Sequence, residues 1–268
     1  MVSLSRTVRQ QAHAPRPLVF STHHKALTVL FGRMLKVMAR TTGARFSEGI
    51  GSSINWSADL ILDYNSDVDR CQLPHYRGLH VVRDPRDLLV SSAFYHLRSS
   101  EPWLHKPYAD FGGMTYQEKV KSLPDMEAVM LFELDHVAGN VISDMLAWDR
   151  SHPHTAELTY EALLGEGADD YLEQKLVDAH FDPHDTALLM RLFKNFSLGG
   201  PWMAGHHIRN PNPGQYMEHF HGPVRTKFNA KFPNALEQLG YVSSKCCAKA
   251  KAEKMPYTAS FFEPSATL

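Results

Sequence analysis

Short apolar runs alternate along this chain with segments whose apolar residues recur every three or four positions. The first run, at residues 18–22, leads through a polar loop into apolar residues at positions 27, 30, 31, 34, 35 and 38. That spacing is typical of one face of an α-helix, whereas a short continuous run favours a buried strand. Strand followed by helix, repeated along a chain, predicts an α/β fold with a central, mostly parallel sheet flanked by helices.

Further segments with the same two patterns extend this prediction. Strands are predicted at residues 59–64, 78–82 and 156–160, and helices at 87–97, 134–148, 169–180, 183–196 and 224–239. The intervening segments 99–124 and 199–222 are rich in Pro and Gly, which indicates functional loops. Since the carboxyl ends of parallel strands share one edge of a sheet, we expect the functional site at that edge.

Composition limits the classes of partner. The chain has 268 residues, with 28 Lys and Arg against 29 Asp and Glu, and this net charge of −1 gives no field for binding nucleic acid. Its three cysteines (Cys71, Cys246 and Cys247) are too few for a disulfide framework, which favours a reducing, cytoplasmic location. No apolar run approaches the ~20 residues of a membrane span. We expect one domain over residues 18–242, between an arm (1–17) and a tail (243–268).

Three polar stretches are expected at the carboxyl ends of strands. In the first, Lys25 and Thr28 precede a helix, and the free N–H groups at a helix N-terminus attract anions. In the second, Arg83 ends a strand and Ser91 lies two turns into the next helix, so a guanidinium and a hydroxyl can meet one phosphate. The third is the loop at residues 208–220. The Walker pattern is absent, which argues against an ordinary nucleoside-triphosphate enzyme.

The second stretch, RDPRDLLVSSAFYH, resembles the 3′-phosphate-binding motif of the sulfotransferase family, whose members use 3′-phosphoadenosine 5′-phosphosulfate (PAPS). Arg83 and Ser91 fall on its two phosphate-binding positions. The upstream FSTHHKALT is similar to the 5′-phosphosulfate loop of that family, with Lys25 and Thr28 in register. Residues 208–220 resemble its C-terminal cofactor segment, and Tyr160 with the following Glu resembles its strand-end Tyr-Glu pair.

The resemblance implies a P-loop-like sulfotransferase fold and transfer of a sulfuryl group from PAPS to a hydroxyl or amine, leaving 3′-phosphoadenosine 5′-phosphate (PAP). Lys25 would be catalytic, stabilising charge on the leaving phosphate. The residues implied to bind the cofactor are His24, Lys25, Ala26, Leu27, Thr28, Arg83, Ser91, Tyr160, Arg209 and Gly214. The chain departs from the family motifs at Leu27, where the family has Gly, and at Val29, Asn210 and Pro211.

In-line transfer to a hydroxyl needs a general base within hydrogen-bond reach. Many members of the family carry a His shortly after the second strand, but this chain reads DYNSD there. Other members place a Glu soon after the first helix, and Glu48 is therefore our candidate catalytic base. The alternatives are Asp63, Asp67, His23 and His24.

Sixteen histidines raise the possibility of a metal site, especially the group His206, His207, His219 and His221 and the pair His152 and His154. None of these has the spacing of a zincin, and we expect no metal. The role of the Cys246-Cys247 pair, the oligomeric state and the acceptor, a small molecule or a carbohydrate, stay open. The alternative functions are a non-catalytic nucleotide-binding protein of the same fold and, less favoured, a nucleotide kinase.

Overall fold

Five parallel strands form one sheet in which neighbouring strands are not consecutive along the chain. The computed structural model describes residues 17–68, 73, 75–196 and 210–242. The strands are β1 (Leu18–Ser21), β2 (Phe46–Gly49), β3 (Leu60–Asp63), β4 (Arg77–Val82) and β5 (Thr155–Thr159). Their order across the sheet is β2-β3-β1-β4-β5, and every adjacent pair is parallel. The α/β fold with a parallel central sheet is therefore confirmed.

The strand order places a switch point beside β1. The chain first builds the sheet on one side of β1, with β3 and β2, and then returns to its other side with β4 and β5. In open α/β sheets, ligands bind beyond the carboxyl ends of the strands where the order reverses. The loops that follow β1 and β4 meet at that point.

Helices connect the strands and cover the sheet. They are α1 (Thr28–Thr42), α2 (Pro85–His96), α3 (Tyr116–Lys121), α4 (Met126–Asp135), α5 (Val137–Ala147), α6 (Ala168–Asp178), α7 (Pro183–Phe196), α8 (Tyr216–His219), α9 (Gly222–Lys231) and α10 (Ala235–Gln238). One apolar cluster joins α1, α6 and α7 to the sheet, and another joins α2, α4, α5 and α9. On the other face of the sheet, Val19 and Ile61 are buried in a third apolar cluster with Ile54, Trp56 and Tyr76. Burial of both faces explains why the central strands read as continuous apolar runs.

Two of the predicted helices differ from the structure. The helix predicted from 134 to 148 corresponds to α5, whereas most of α4 precedes position 134 and was not predicted. The two helices are separated at His136, whose backbone (φ −122°, ψ −119°) is not helical. The helix predicted from 224 to 239 is interrupted at Phe232, which precedes Pro233 and adopts φ −131° and ψ 63°. A residue before proline is excluded from helical geometry by steric contact with the proline ring.

Three short elements were not predicted. Strand β2 is only partly buried, so its sequence FSEG lacks a continuous apolar run. Helix α3 lies inside the predicted loop 99–124 and begins with a capping box between Thr115 and Glu118. Helix α8 lies inside the predicted loop 199–222.

Within the described ranges, no helix has both the length and the apolar character needed to traverse a bilayer. The predicted arm (1–17, apart from position 17) and the predicted tail (243–268) lie outside the described residues. The same is true of six residues named above: Cys71, Cys246, Cys247, His206, His207 and Arg209.

Candidate functional site

The loop between β1 and α1 holds two residues in left-handed backbone geometry. Lys25 has φ 66° and Leu27 has φ 63°, a region that a residue with a Cβ occupies at a cost of about 1–2 kcal/mol. Leu27 is the position at which the sulfotransferase motif has Gly. Its side chain is buried in the apolar cluster around α1, and that burial offsets the backbone cost. The replacement therefore leaves a glycine-like backbone in place.

Helix α1 begins beside this loop without a capping side chain. Leu27 occupies the N-cap position, and its side chain makes no capping hydrogen bond. The hydroxyl of Thr28 lies 2.9 Å from the carbonyl of His23 and 3.1 Å from the hydroxyl of Thr22, which fixes the loop on the helix. Free N–H groups and the positive end of the helix dipole make this a suitable place for an anion. Ala26 is fully buried beneath the loop.

The guanidinium of Arg83 is buried at the carboxyl end of β4. Its Nη1 donates to the carbonyl of Lys25 over 2.9 Å, and its Cζ lies 4.1 Å from the centroid of the Tyr160 ring. Its Nε and Nη2 are inaccessible to solvent and have no hydrogen-bond partner among the described residues. Buried charged donors are normally paired, so these N–H groups are suited to an anion brought in as a ligand.

Lys25 joins the same site from the loop after β1. Its Nζ lies 3.5 Å from the centroid of the Tyr95 ring, on the helix α2 that follows Arg83. The structure thus brings Lys25 and Arg83 together at the ends of two adjacent strands. Ser91 lies on α2 and is partly exposed.

The segment around Gly214 is hydrogen-bonded to the start of α2. The carboxylate of Asp87 accepts hydrogen bonds from the backbone N–H of Gly214 (2.6 Å) and of Tyr216 (2.8 Å). The hydroxyl of Tyr160 donates to the carbonyl of Pro211 over 2.8 Å. Gly214 and Tyr160 therefore lie together beside Arg83. The part played by Asp87 was not predicted, because its partners are more than 120 residues away in sequence.

The carboxylates that were candidates for the general base differ in their surroundings. Glu48 lies on the edge strand β2, and its Oε1 is 2.7 Å from the ammonium of Lys36 on α1. Asp63 is fully buried at the end of β3, and burial raises its pKa to about 7 against the backbone N–H of Asn65, which lowers it. Asp67 is exposed.

The pKa of a third aspartate is raised by the same neighbourhood. Burial, together with the charges of Asp67 and Asp63, raises the pKa of Asp144 on α5 to about 7. Carboxyl groups thus cluster at the end of β3, whereas Lys25 and Arg83 lie beyond β1 and β4.

The first of the two adjacent loop histidines is part of a buried chain of hydrogen bonds. Nε2 of His23 lies 2.9 Å from Nε2 of His80 on β4, and Nδ1 of His80 lies 3.0 Å from Glu157 on β5. The ring of Trp148 stacks on His80 at 4.4 Å. Burial, followed by the charges of His80 and Arg150, holds the pKa of His23 well below its usual value.

His24, the second loop histidine, makes a similar set of contacts with helix α2. Nε2 of His24 lies 3.1 Å from Nε2 of His96, and the two rings are stacked at 5.1 Å. Nδ1 of His96 lies 2.7 Å from Oε1 of Glu133 on α4, and both side chains are completely buried. These contacts were not predicted, because they join elements that are distant along the chain.

The aromatic residues of the segment 99–124 belong mostly to the core. Trp103 and Tyr116 are buried in the cluster around α2 and α4, and Tyr108 and Phe111 pack against it. Trp103 and Tyr116 are therefore core aromatic residues.

Among the described residues, one group could offer metal ligands within 4.8 Å of one another, formed by Asp182, His184 and Asp185 at the start of α7. Asp182 pairs with Arg77, the first residue of β4, so the group lies at the amino edge of the sheet. That edge is opposite the site around Arg83.

No protein-family model and no curated protein sequence matches the chain. Two solved structures resemble it over most of its length. A mouse sulfotransferase complexed with PAP superposes with a TM-score of 0.54 at 13% identity, covering 84% of each chain. Retinol dehydratase in complex with androsterone and inactive cofactor PAP superposes with a TM-score of 0.54 at 11% identity, covering 84% of this chain and 82% of that one. The chain therefore has the sulfotransferase fold.

Proposed function

We propose that this protein is a sulfotransferase that moves a sulfuryl group from PAPS to a hydroxyl or amine of an acceptor. The observation that carries the proposal is Arg83, a buried guanidinium with two N–H groups that lack a partner among the described residues. It is tied to the loop that carries Lys25, beside the uncapped start of α1. An anion with a phosphate at each end fits these two sets of donors, and both structural neighbours were solved with PAP.

In this proposal the residues act by position and charge. PAPS, when bound, supplies a sulfuryl group whose bond to the 5′-phosphate breaks during transfer. Lys25 stabilises the charge that develops on that phosphate, while Thr28 and the first N–H groups of α1 hold it. Such in-line transfer depends mainly on positioning and charge stabilisation.

The other end of the nucleotide is assigned to the second and third stretches. Arg83 and Ser91 bind the 3′-phosphate, with Arg209 contributing from outside the described residues. Tyr160 and Gly214 lie beside Arg83 and adjoin the adenosine. Each of these assignments follows the residue-by-residue match to the motif.

The acceptor in this proposal is a small molecule or a carbohydrate. Trp103 and Tyr116 are not available to line an acceptor pocket, because both are buried in the core. Tyr108 and Phe111 are partly exposed on the same segment and adjoin that core.

Titration calorimetry with PAP and with adenosine 5′-phosphate tests the nucleotide assignment. We expect PAP to bind at least ~10²-fold more tightly, because only PAP carries the 3′-phosphate that pairs the buried donors of Arg83. Equal affinities, or no binding of PAP, would contradict the proposal.

Transfer of ³⁵S from labelled PAPS to a phenol, an aliphatic alcohol, an amine and a disaccharide tests catalysis. We expect labelled product with at least one acceptor class. Binding of PAP without transfer to any of the four would instead favour the non-catalytic nucleotide-binding protein.

A further inference from the structure

The contacts of His24 belong to a chain of hydrogen bonds in which each ring nitrogen acts as a donor or as an acceptor. The chain runs from Tyr116 through Glu133 and His96 to His24, with distances of 3.0, 2.7 and 3.1 Å. Burial and the neighbouring Glu133 raise the pKa of Tyr116 well above its usual value, so its hydroxyl keeps its proton and donates. One end of the chain is therefore a fixed donor.

One arrangement of protons is consistent with this end. Oε1 of Glu133 can accept from both the Tyr116 hydroxyl and Nδ1–H of His96. In that arrangement Nε2 of His96 is the acceptor of its contact with His24. His24 then donates from its own Nε2, which leaves the basic lone pair of His24 on Nδ1. A carboxylate that orients a histidine in this way is a recurring feature of general-base catalysis.

The charge state of His24 suits the same role. Burial is the main reason that the pKa of His24 lies well below its usual value, with His96 and Lys25 acting in the same direction, so the ring is neutral at physiological pH. The side chain is only partly buried, and His24 directly precedes Lys25 in the loop. By contrast, the neighbouring His23 is 1% exposed, which denies it contact with an acceptor.

We propose that His24 is the general base of the transfer reaction and that His96 and Glu133 are positioning residues that fix its tautomer. The inference rests on the proposed function. Nδ1 of His24 takes the proton of the acceptor hydroxyl while the acceptor oxygen forms a bond to sulfur. The bond from sulfur to the 5′-phosphate oxygen breaks, its electron pair stays on PAP, and the imidazolium then loses its proton to solvent.

The candidate from the sequence, Glu48, has a different environment. Its carboxylate is paired with Lys36, and it lies on β2, which is separated from β1 by β3. The cationic loop after β1, by contrast, contains His24 itself. A comparison of His24→Gln with Glu48→Gln therefore decides between the two groups.

Glutamine suits position 24 because its amide N–H replaces the donor to His96, while it has no basic nitrogen. We expect His24→Gln to reduce turnover with 1-hexanol by about 10²- to 10⁴-fold, the usual contribution of a general base. With p-nitrophenol, which is already ionised in mildly alkaline buffer, the reduction should be less than about tenfold. PAP affinity and thermal unfolding should stay near those of the wild type, and the exposed His184→Gln serves as the matched control.

Nitrogen-15 NMR of histidine-labelled protein provides a readout that does not depend on turnover. We expect the His24 signal, assigned by its loss in His24→Gln, to show a protonated Nε2 and an unprotonated Nδ1, with and without PAP. A proton on Nδ1 would overturn the inference.

Each remaining outcome has one meaning. Equal turnover of His24→Gln and wild type with 1-hexanol, or a loss confined to Glu48→Gln, would refute the role of His24 while leaving the sulfotransferase function intact. Failure of the wild type to transfer to any acceptor would refute the proposed function instead, and the NMR tautomer would still decide whether His24 is poised as a base.

Discussion

Arg83→Met is expected to stabilise the ligand-free protein while removing its affinity for PAP. Methionine is similar in length to arginine and carries no donors, so the substitution removes the buried Nε and Nη2 groups that lack partners among the described residues. Each unpaired buried donor costs about 1–3 kcal/mol. Removing these unpaired donors therefore raises the free energy of unfolding of the ligand-free variant.

Two lost contacts oppose that gain. The hydrogen bond from Arg83 to the carbonyl of Lys25 is worth about 1 kcal/mol, and the stacking of the guanidinium on Tyr160 about 1–2 kcal/mol. We therefore expect the free energy of unfolding of the ligand-free variant to rise by about 1 kcal/mol. PAP loses two charge-assisted hydrogen bonds in the variant, which together weaken binding by at least about 3 kcal/mol, or ~10²-fold in Kd.

Urea unfolding measures the first effect, and calorimetry together with the rise in Tm on adding PAP measures the second. Arg45→Met is a suitable control, because Arg45 is an exposed arginine that pairs with Asp59 on the surface. It should leave PAP affinity unchanged. The reasoning is refuted if Arg83→Met is less stable than the wild type by more than about 2 kcal/mol, or if PAP still raises its Tm as in the wild type.

Three further substitutions probe other parts of the site. Lys25→Met should lower single-turnover transfer by about 10²- to 10³-fold and change PAP affinity by less than about tenfold, and an unchanged rate would remove Lys25 from catalysis. Asp87→Asn should weaken PAP binding about tenfold and expose the segment around Gly214 to limited proteolysis. The two carboxylate oxygens of Asp87 each accept from one backbone N–H, whereas the asparagine amide has only one oxygen that can accept. Asp63, with its pKa of about 7, holds a proton in the folded state that the unfolded chain releases near pH 4, so stability falls as pH rises between these values. Asp63→Asn should reduce that loss between about pH 4 and about pH 7 in urea unfolding, and an equal slope in both proteins would contradict the assignment.

The central elements of the fold were predictable because burial on both faces leaves a local signal. Strands β1, β3, β4 and β5 appear as short apolar runs, and α1 appears as a stripe with helical spacing. Strand β2 has no such signal, since its sequence FSEG lies at the sheet edge and is only partly buried. The division between α9 and α10 was marked by Pro233, whereas the division at His136 has no local marker.

Lys25 and Arg83 could be predicted from the sequence because each follows a strand and matches a motif. The order of the strands could not be predicted, and this order places Lys25 beside Arg83, 58 residues away along the chain. Leu27 stands where the family motif has Gly, yet it adopts the left-handed conformation that glycine allows. Burial of its side chain, a tertiary effect, compensates for a local preference.

The carbonyl of Lys25 holds the Arg83 guanidinium in one orientation before any anion arrives. An arginine side chain loses much rotamer entropy when it is immobilised, and here folding has already imposed that loss. Binding of a phosphate then requires little rearrangement of Arg83. Association rate constants should therefore be similar for anions that differ in how well they match the site. Differences in affinity among them should consequently reside in how long each one stays bound.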